Sequence, residues 1–271
     1  MKGKFCAESI KKHLPDGFES LIFLPKTDST NEFCKREALE SGTFVVASAQ
    51  SGGKGRLGRR FESKEGGIFL SLMIRPRIST KRLMCVTGMA AAAALRAIEE
   101  TTGVKCNLKW INDVLMNGKK IGGILTEIQF ESSTPTVIIG IGINVNNSAS
   151  DFAWDTEGKA GSILTETDKE TDLSLLTAAL IENLTKLEGD LEADNISSYL
   201  GTYRERCSTL RREVTLTWRD SGSEFSQSGE GKAGYAEDID DSFGLVVQFP
   251  DGKIETIRSG EVSVRGKNGV Y

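Results

Sequence analysis

The alternation of apolar and polar positions predicts an α+β body. Phe18–Leu24 and Gly67–Ile74 are largely apolar runs with a proline shortly after each, which is typical of strands. Residues 82–102 contain five consecutive alanines and are followed by Gly103, so they predict a long, well-buried helix. Thr136–Val145 is almost wholly apolar, which indicates a central strand buried on both faces.

Cap residues and a leucine repeat predict further helices. Ser29 and Glu32 have the spacing of a capping box, and the helix that they open is expected to end at Gly42. Asp172 is a candidate N-cap for a helix with leucines at every third or fourth position. A shorter helix is expected over Asn195–Arg206.

Three β-rich segments lie in the first half of the chain. Thr43–Ala49 leads into a glycine-rich stretch. Val104–Trp110 alternates apolar and polar residues, as a strand with one wet face does. Asn117-Gly118 is a hairpin signal, and it is expected to join that strand to another over Ile121–Phe130.

Beyond about residue 209 the chain changes character. Short strands replace helices, and Pro250-Asp251-Gly252 marks a hairpin turn. The strands are predicted over Val214–Trp218, Gly244–Phe249, Lys253–Arg258 and Glu261–Arg265. This change divides the 271 residues into an α+β domain at 1–208 and a small β domain at 209–271.

Composition places the chain among ordinary globular proteins and argues against several function classes. Hydrophobic residues make up 38% and charged residues 27%, and no apolar run approaches the roughly 18 to 20 residues that span a bilayer. The N-terminal residues lack the apolar core of a signal peptide, so a cytoplasmic location without a membrane partner is expected. The formal net charge of −4 does not favour DNA binding, which usually requires a basic surplus.

Cysteine and histidine usage narrows the chemistry further. Five cysteines are scattered without a C-x-x-C pair, which indicates reduced thiols rather than disulfides or a zinc site. His13 is the single histidine, so triads, histidine-rich metal centres and a histidine general base are almost excluded. We therefore expect no metal site built from protein ligands.

Residues 50–61, here called the glycine-basic loop, concentrate the most unusual chemistry of the chain. They contain four glycines, one lysine and three arginines. Four cations so close together repel one another unless an anion lies among them, and glycines let backbone N–H groups approach a ligand. The loop therefore predicts a site for a phosphate or a carboxylate.

The glycine-basic loop also matches the pattern G-x-G-x-x-G at residues 53–58. A dinucleotide-binding loop needs a helix that begins at the glycines, whereas a polar turn and a strand follow here. A strand–loop–strand context suits a protein kinase better, but no V-A-I-K-like, H-R-D or D-F-G sequence accompanies it. Neither interpretation is favoured.

Further polar clusters lie at predicted strand ends. Lys109–Asp113 and Lys119–Gly123 are brought together by the predicted hairpin, and a solvated charged tip would account for them. Trp110 and Asn112 are unusual in a surface turn, however, and two glycines inside an apolar strand indicate close approach of a ligand or backbone. Asn144 ends the buried strand, where a simple turn asparagine is the alternative.

These motifs together resemble one family. The ordered segments are Asp28-Ser-Thr-Asn31, Gln50-Ser-Gly-Gly-Lys-Gly-Arg-Leu-Gly58, Lys109-Trp-Ile-Asn-Asp113, Lys120-Ile-Gly-Gly-Ile-Leu125 and Gly142-Ile-Asn144. Their order and spacing, with the small β region behind them, are similar to those of the biotin protein ligases. The resemblance implies a class II synthetase-like catalytic domain with a mixed, mainly antiparallel sheet, and an SH3-like C-terminal β-barrel.

The resemblance also implies a two-step reaction. Biotin and ATP, with Mg²⁺ accompanying the ATP, would form biotinyl-5′-AMP, and the biotinyl group would pass to a lysine on the biotin carrier domain of a carboxylase. The catalytic residues would be Arg56, Lys120 and Asp113. The biotin-binding residues would be Ser29, Thr30, Asn31, Gln50, Lys54, Gly55, Arg56 and Lys120. The ATP-binding residues would be Arg56, Lys109, Asn112, Asp113, Asn144 and Arg265.

The chain departs from the family pattern at two positions. The family's loop usually reads Gly-Arg-Gly-Arg-x-Gly and is commonly followed by Trp, whereas this chain has Lys54 and Phe61. Lysine keeps the charge but lacks the bidentate fork of arginine. Because the first motif begins at residue 28, the monofunctional type without an N-terminal DNA-binding domain is expected. The oligomeric state is left open, with a homodimer as one option.

Two other functions remain open at this point. A lipoate–protein ligase shares the fold and the adenylation logic, although the Lys-Trp-Ile-Asn-Asp motif and the basic loop favour biotin. A non-catalytic biotin or nucleotide sensor belongs to another class of protein. The joint presence of Arg56 and Lys120 argues against a sensor, which need not balance the charges of an adenylate.

Overall fold

The computed structural model describes residues 4–130, 134–152, 158–217 and 231–259, together with the backbone of 261–264. Its larger part is a seven-stranded sheet in the order β1-β2-β3-β7-β6-β5-β4. The strands are β1 (Leu21–Leu24), β2 (Thr43–Ala47), β3 (Gly67–Ile74), β4 (Asn107–Lys109), β5 (Asp113–Met116), β6 (Lys119–Gln129) and β7 (Thr136–Asn144). β1 and β2 pair in parallel, and the other five pairs are antiparallel. This confirms the predicted mixed, mainly antiparallel sheet, with β7 at its centre.

The two faces of this sheet are covered unequally. Side chains alternate between the faces along each strand, so Leu70 and Ile139 enter the main core on one face. On the opposite face, Met73 and Ile138 belong to a much smaller apolar cluster. Gly140, two residues beyond Ile138 on that same face, borders an open cleft. The face with the smaller cluster therefore carries the candidate site.

Eight α-helices are present in the described residues. They are α1 (Ala7–Lys11), α2 (Thr30–Arg36), α3 (Thr80–Leu83), α4 (Cys85–Thr102), α5 (Ile163–Thr167), α6 (Leu173–Thr185), α7 (Leu187–Glu192) and α8 (Ser197–Arg206). α4 is the predicted buried helix, and it ends at Gly103 with a φ of 69°. Asp172 caps α6 as predicted, because its Oδ1 accepts the N–H of Ser174 at 2.8 Å. Within the described ranges, no helix is long and apolar enough to cross a bilayer.

The helix predicted from the capping box to Gly42 is wrong in its cap and in its end. α2 stops at Arg36, and Gly42, with a φ of +85°, lies just before β2. The side chain of Ser29 makes no capping hydrogen bond. Instead, Oε1 of Gln50 accepts the N–H of Thr30 at 2.8 Å. The side chain of Gln50, at the start of the glycine-basic loop, therefore replaces the local cap that the sequence pattern suggested.

The single strand predicted over Val104–Trp110 is also wrong. β4 holds only Asn107–Lys109, after which the chain turns and returns as β5, antiparallel to β4. The predicted Asn117-Gly118 turn is present, with φ values of 50° and 82°, but it joins β5 to β6. The periodicity hid the first turn because Trp110 and Ile111 are as apolar as strand residues.

The C-terminal region forms a five-stranded antiparallel sheet, in line with the predicted small β region. Its strands are β8 (Arg212–Thr217), β9 (Lys232–Ile239), β10 (Leu245–Gln248), β11 (Ile254–Ile257) and β12 (Glu261–Val264). β9 has no counterpart among the predicted strands, because half of its residues are exposed and give little apolar contrast. The predicted strand ends at Trp218 and Arg265 lie outside the described residues.

The small sheet and the larger body share one apolar core. Phe243, in the turn between β9 and β10, is completely buried and contacts Tyr203 edge-on at 5.3 Å between ring centroids. It lies so close to Gly88 of α4 that no side chain would fit there. The α+β class is confirmed, while the domain boundary between residues 208 and 209 stays a prediction.

Candidate active site

A cleft of about 800 Å³ opens on the less covered face of the large sheet. It lies among α2, the glycine-basic loop, β7 and the ends of β4, β5 and β6. Eleven of the thirteen predicted site residues line it: Ser29, Thr30, Asn31, Gln50, Lys54, Gly55, Arg56, Lys109, Asn112, Asp113 and Lys120. The fold therefore brings motifs from well-separated parts of the chain to one place.

One part of the cleft, here called the amide end, consists of Ser29, Thr30, Asn31 and Gln50. Gln50 uses both ends of its amide, since its Oε1 caps α2 at Thr30 and its Nε2 donates to Oγ of Ser63 at 2.9 Å. Ser29 is only 4% exposed, and its hydroxyl is not needed as the helix cap. This hydroxyl therefore remains available to a ligand in the cleft.

Asn31 is held in one orientation by two neighbours that the motifs did not indicate. Its Nδ2 donates to Oε2 of Glu127 at 2.8 Å, and its Oδ1 lies 2.6 Å from Oγ of Ser71. The same Ser71 oxygen lies 2.7 Å from Oγ1 of Thr30. Ser71 is a polar residue in the apolar run of β3, and that exception is the signal by which the sequence could have located it.

Glycines form the floor of the cleft on β7. A Cβ added at Gly140 would overlap Oδ1 of Asn31, and one added at Gly142 would lie 2.7 Å from the Phe61 ring. The absence of side chains therefore lets both α2 and the glycine-basic loop approach the sheet directly. Phe61, which replaces the family's usual Trp, packs edge-on against Phe69 with 6.4 Å between the ring centroids.

The glycine-basic loop folds as a short hairpin beside the cleft. The N–H of Phe61 donates to the carbonyl of Gly53 at 2.9 Å, and the N–H of Gly55 donates to the carbonyl of Arg59 at 2.7 Å. Leu57 at the tip has a φ of 57° and is half-exposed. The loop thus presents its basic side chains from a defined turn.

The opposite part of the cleft, here called the charged end, consists of Arg56, Asn112, Asp113 and Lys120. The sheet register brings it near the floor, since Asp113 pairs with Gly123 and Gly123 pairs with Gly142. Nζ of Lys120 lies 2.6 Å from Oδ1 of Asp113. Nη1 of Arg56 donates to Oδ1 of Asn112 at 3.3 Å. A cation and a carboxylate are therefore already in contact at this end.

The turn between β4 and β5 is supported from outside the cleft. The N–H of Trp110 donates to Oγ1 of Thr209 at 3.0 Å, and its indole Nε1 donates to the carbonyl of Phe243 at 2.9 Å. The hydroxyl of Tyr203 donates to the carbonyl of Ile111 at 3.0 Å. Burial raises the pKa of Tyr203 well above its usual value, so this hydroxyl remains a donor at neutral pH. These contacts explain why a tryptophan occupies the turn.

Basic residues outnumber acidic ones along the cleft. The basic residues that line it are Lys54, Arg56, Arg59, Arg60, Lys109, Lys120 and Lys159, and the acidic residues are Glu62 and Asp113. The side chains that line the cleft therefore carry a net positive charge, whereas the whole chain has a formal charge of −4. Such a local field attracts a ligand with several negative charges.

Two predicted site residues are not among those that line the cleft. Nδ2 of the buried Asn144 donates to the carbonyl of Gly161 at 3.0 Å. This bond holds the segment that carries Lys159, whose carbonyl accepts the N–H of Lys120 at 2.8 Å. Arg265 lies outside the described residues. Nucleotide contacts by Asn144 and Arg265 stay predictions.

Fold and site together define an α+β protein whose cleft joins a neutral, hydrogen-bonding end to a cationic end. Residues 21–144 match the biotin/lipoate A/B protein ligase family. That range contains every residue lining the cleft except Lys159. Residues 21–144 of the chain are therefore a domain of the biotin/lipoate A/B protein ligase family.

Characterised relatives carry related names. The bifunctional ligase/repressor BirA of Bacillus subtilis is 42% identical over 142 residues, which cover 52% of this chain and 44% of that protein. The biotin–[acetyl-CoA-carboxylase] ligase of Paracoccus denitrificans is 28% identical and is matched over its full length, with 90% of this chain covered. The chain spans about half the length of the first curated relatives that it matches.

Solved structures of biotin protein ligases are similar in fold. The Aquifex aeolicus enzyme in complex with biotin and ATP aligns with a TM-score of 0.78 at 28% identity, over 92% of this chain and 99% of that one. The Leishmania major enzyme in complex with biotin aligns with a TM-score of 0.60 at 22% identity, over 89% and 99% of the two chains. The second likeness concerns the fold alone.

Proposed function

We propose that this protein is an ATP-dependent ligase that activates biotin as biotinyl-5′-AMP and transfers it to a specific lysine on the biotin carrier domain of a carboxylase. One observation carries the proposal: the amide end and a seven-cation lining belong to a single cleft. Biotin has a neutral ureido ring and a carboxylate, and ATP adds several negative charges. A ligand pair of this kind matches both ends at once.

In the first step, a carboxylate oxygen of biotin attacks the α-phosphorus of ATP. The new P–O bond forms as the bond to the β-phosphate's bridging oxygen breaks, and pyrophosphate leaves with that electron pair. Both reactants are anions, so Arg56 and Lys120 lower their mutual repulsion. ATP enters with Mg²⁺ as its usual companion.

The Asp113–Lys120 pair suggests how the charged end is used. The biotin carboxylate, and then the acyl-phosphate, takes the place of Asp113 beside the ammonium of Lys120. Asp113 is thereby released toward the cleft. In the second step the neutral amine nitrogen of the acceptor lysine attacks the acyl carbon. The C–O bond to AMP breaks, AMP leaves with that electron pair, and the proton lost by the nitrogen passes to solvent. Asp113 orients that amine.

The remaining predicted roles belong to the same proposal. Ser29, Thr30, Asn31 and Gln50 surround the ureido ring, with Lys54 and Gly55 on the loop that covers it. The nucleotide is contacted by Lys109, Asn112 and Arg265. Asn144 faces the nucleotide site indirectly, because it holds the segment that carries Lys159. We further expect a cytoplasmic location and no binding to DNA. A homodimer is the assembly to test by light scattering.

Two alternative functions are less well supported. The family includes lipoate ligases, but the relatives and structures cited above are named for biotin. A non-catalytic sensor would not need Lys120 and Arg56 beside the floor of the cleft. Neither alternative has an observation of its own in its favour.

The purified chain is to be incubated with biotin, MgATP and a biotin carrier domain. We expect pyrophosphate release that requires biotin, and a carrier whose intact mass increases by one biotinyl group. Release with lipoate but not with biotin would support the lipoate ligase instead. Biotin binding without any pyrophosphate release would indicate the sensor.

A further inference from the structure

The side chain of Lys54 makes a contact within the protein that differs from the biotin-binding role implied by the family resemblance. Its Nζ lies 2.7 Å from Oε1 of Glu32 on α2, with side-chain exposures of 51% and 26%. We propose that Glu32 is a positioning residue that holds Lys54 and thereby sets the glycine-basic loop over the cleft. Lys54 thus anchors the loop rather than binding biotin directly, and this inference rests on the proposed function.

The anchor on α2 is itself held in place. Nζ of Lys35 lies 2.8 Å from Oε1 of Glu32 and 2.6 Å from Oε1 of Glu127. Oε2 of Glu127 accepts a hydrogen bond from Nδ2 of Asn31 at 2.8 Å. A continuous ion chain, Lys54–Glu32–Lys35–Glu127, therefore links the loop to Asn31 at the amide end of the cleft.

Glu32 is suited to a permanent anchor because it stays ionised. The hydrogen bond from Lys35, and after it the one from Lys54, lowers the pKa of the Glu32 carboxyl below its ordinary value. Lys54 is placed to use this carboxylate by the loop's own backbone, which pairs Lys54 with Arg60 across the hairpin. A single ammonium on a flexible stem can reach one carboxylate oxygen without the planar alignment that arginine requires.

Direct substrate binding by Lys54 would break this pair. Arg56 and Lys120 already provide cations at the charged end, where a substrate carboxylate meets the α-phosphate. Moving Lys54 there would leave Glu32 with Lys35 alone and would remove the ion pair between the loop and α2, so that the Gln50–Thr30 hydrogen bond would have to hold the start of the loop without it. The replacement of the family's arginine by lysine is explained if the position serves the loop's attachment in this chain.

The test uses charge reversal and its rescue. Lys54→Glu and Glu32→Lys each place like charges together and are expected to raise KM for biotin about tenfold in the pyrophosphate-release assay. The double variant restores an ion pair between the loop and α2, and its KM is expected to return to within about threefold of the parent. The recovery is partial because the new lysine on α2 also faces Lys35. A kcat change without a KM change would contradict a positioning role. Thermal unfolding of each variant checks that the fold is intact.

A second readout does not depend on catalysis. Hydrogen–deuterium exchange of residues 53–61, whose amides at Gly55 and Phe61 are bonded within the hairpin, is measured without substrates. We expect faster exchange in each single variant and recovery in the double variant. The matched control is the partly exposed Lys253–Glu255 pair on the small sheet, whose charged atoms are also 2.7 Å apart. Its single and double reversals are expected to leave exchange in 53–61 and KM unchanged.

The outcomes separate this inference from the proposed function. If the parent chain releases no pyrophosphate with biotin, the proposed function is wrong, and the exchange data alone decide whether Glu32 holds the loop. If the parent is active but Glu32→Lys fails to rescue Lys54→Glu in folded protein, the anchor is wrong and Lys54 acts on the ligand itself. Unchanged exchange in all variants would also overturn the proposal.

Discussion

The two ends of the cleft are built in opposite ways. At the amide end, Asn31 is 3% exposed and bonded to Glu127, and Gln50 uses both ends of its amide within the protein. At the charged end, the side chains of Lys120 and Asp113 are 39% and 24% exposed and neutralise each other. A partly exposed ion pair contributes only about 1 kcal/mol or less, so it can exchange partners at little cost.

This difference indicates a division of labour. Neutral groups of a ligand are best recognised by donors and acceptors whose directions are fixed in advance, because an unpaired buried polar group is costly. Charged groups that appear and disappear during a reaction are better met by side chains that can change partners. Variants at the charged end should therefore affect the chemical steps, and variants at the amide end should affect binding.

The largest effect is expected at Lys120. Lys120→Met removes the cation that the proposed function places beside the biotin carboxylate, and kcat for adenylate formation should fall about 10³-fold, as for loss of a key charge-stabilising donor. The neighbouring Lys119 pairs with Glu166 outside the cleft. Lys119→Met is the control, and biotin-dependent pyrophosphate release should then stay near the parent value. Equal losses of pyrophosphate release in the two variants would mean that the removal of any positive charge in this region lowers activity, whatever the position of the lysine.

Gly140 tests the amide end. Gly140→Ala places a Cβ against Oδ1 of Asn31, and KM for biotin should rise about 30-fold through overpacking, with kcat little changed. In contrast, a Cβ added at Gly201 of α8 would have no heavy atom within 4 Å. Gly201→Ala should leave KM unchanged and stabilise the protein by about 0.5–1 kcal/mol in denaturant unfolding. A fall in kcat alone for Gly140→Ala would break the proposed division.

Asp113 gives the smallest expected effect and the finest distinction. Asp113→Asn should slow transfer to the carrier domain about tenfold, the size of one hydrogen bond to a charged group, while adenylate formation changes little. Single-turnover assays that start from preformed biotinyl-5′-AMP isolate the transfer step. Equal slowing of both steps would mean that Asp113 serves only to hold Lys120.

Particular residues show how far the sequence predicts this fold and site. Local patterns located α4, the cap of α6 and the central strand, because periodicity and caps act within a few residues. They failed at Val104–Trp110, where an apolar turn resembles a strand, and at Gly42, where a glycine follows no helix. Patterns of this kind carry no information on which distant segments pair.

The sequence by itself determined which chemical groups this protein has and in what order they occur. The glycine-basic loop, Lys109–Asp113 and Lys120 were identifiable by composition and motif alone. Only the tertiary structure decided their partners: Gln50 with Thr30, Lys54 with Glu32, and Asp113 with Lys120. The physical reason is that hydrogen bonds and ion pairs depend on distances of about 3 Å, which strand register and helix packing set across the fold.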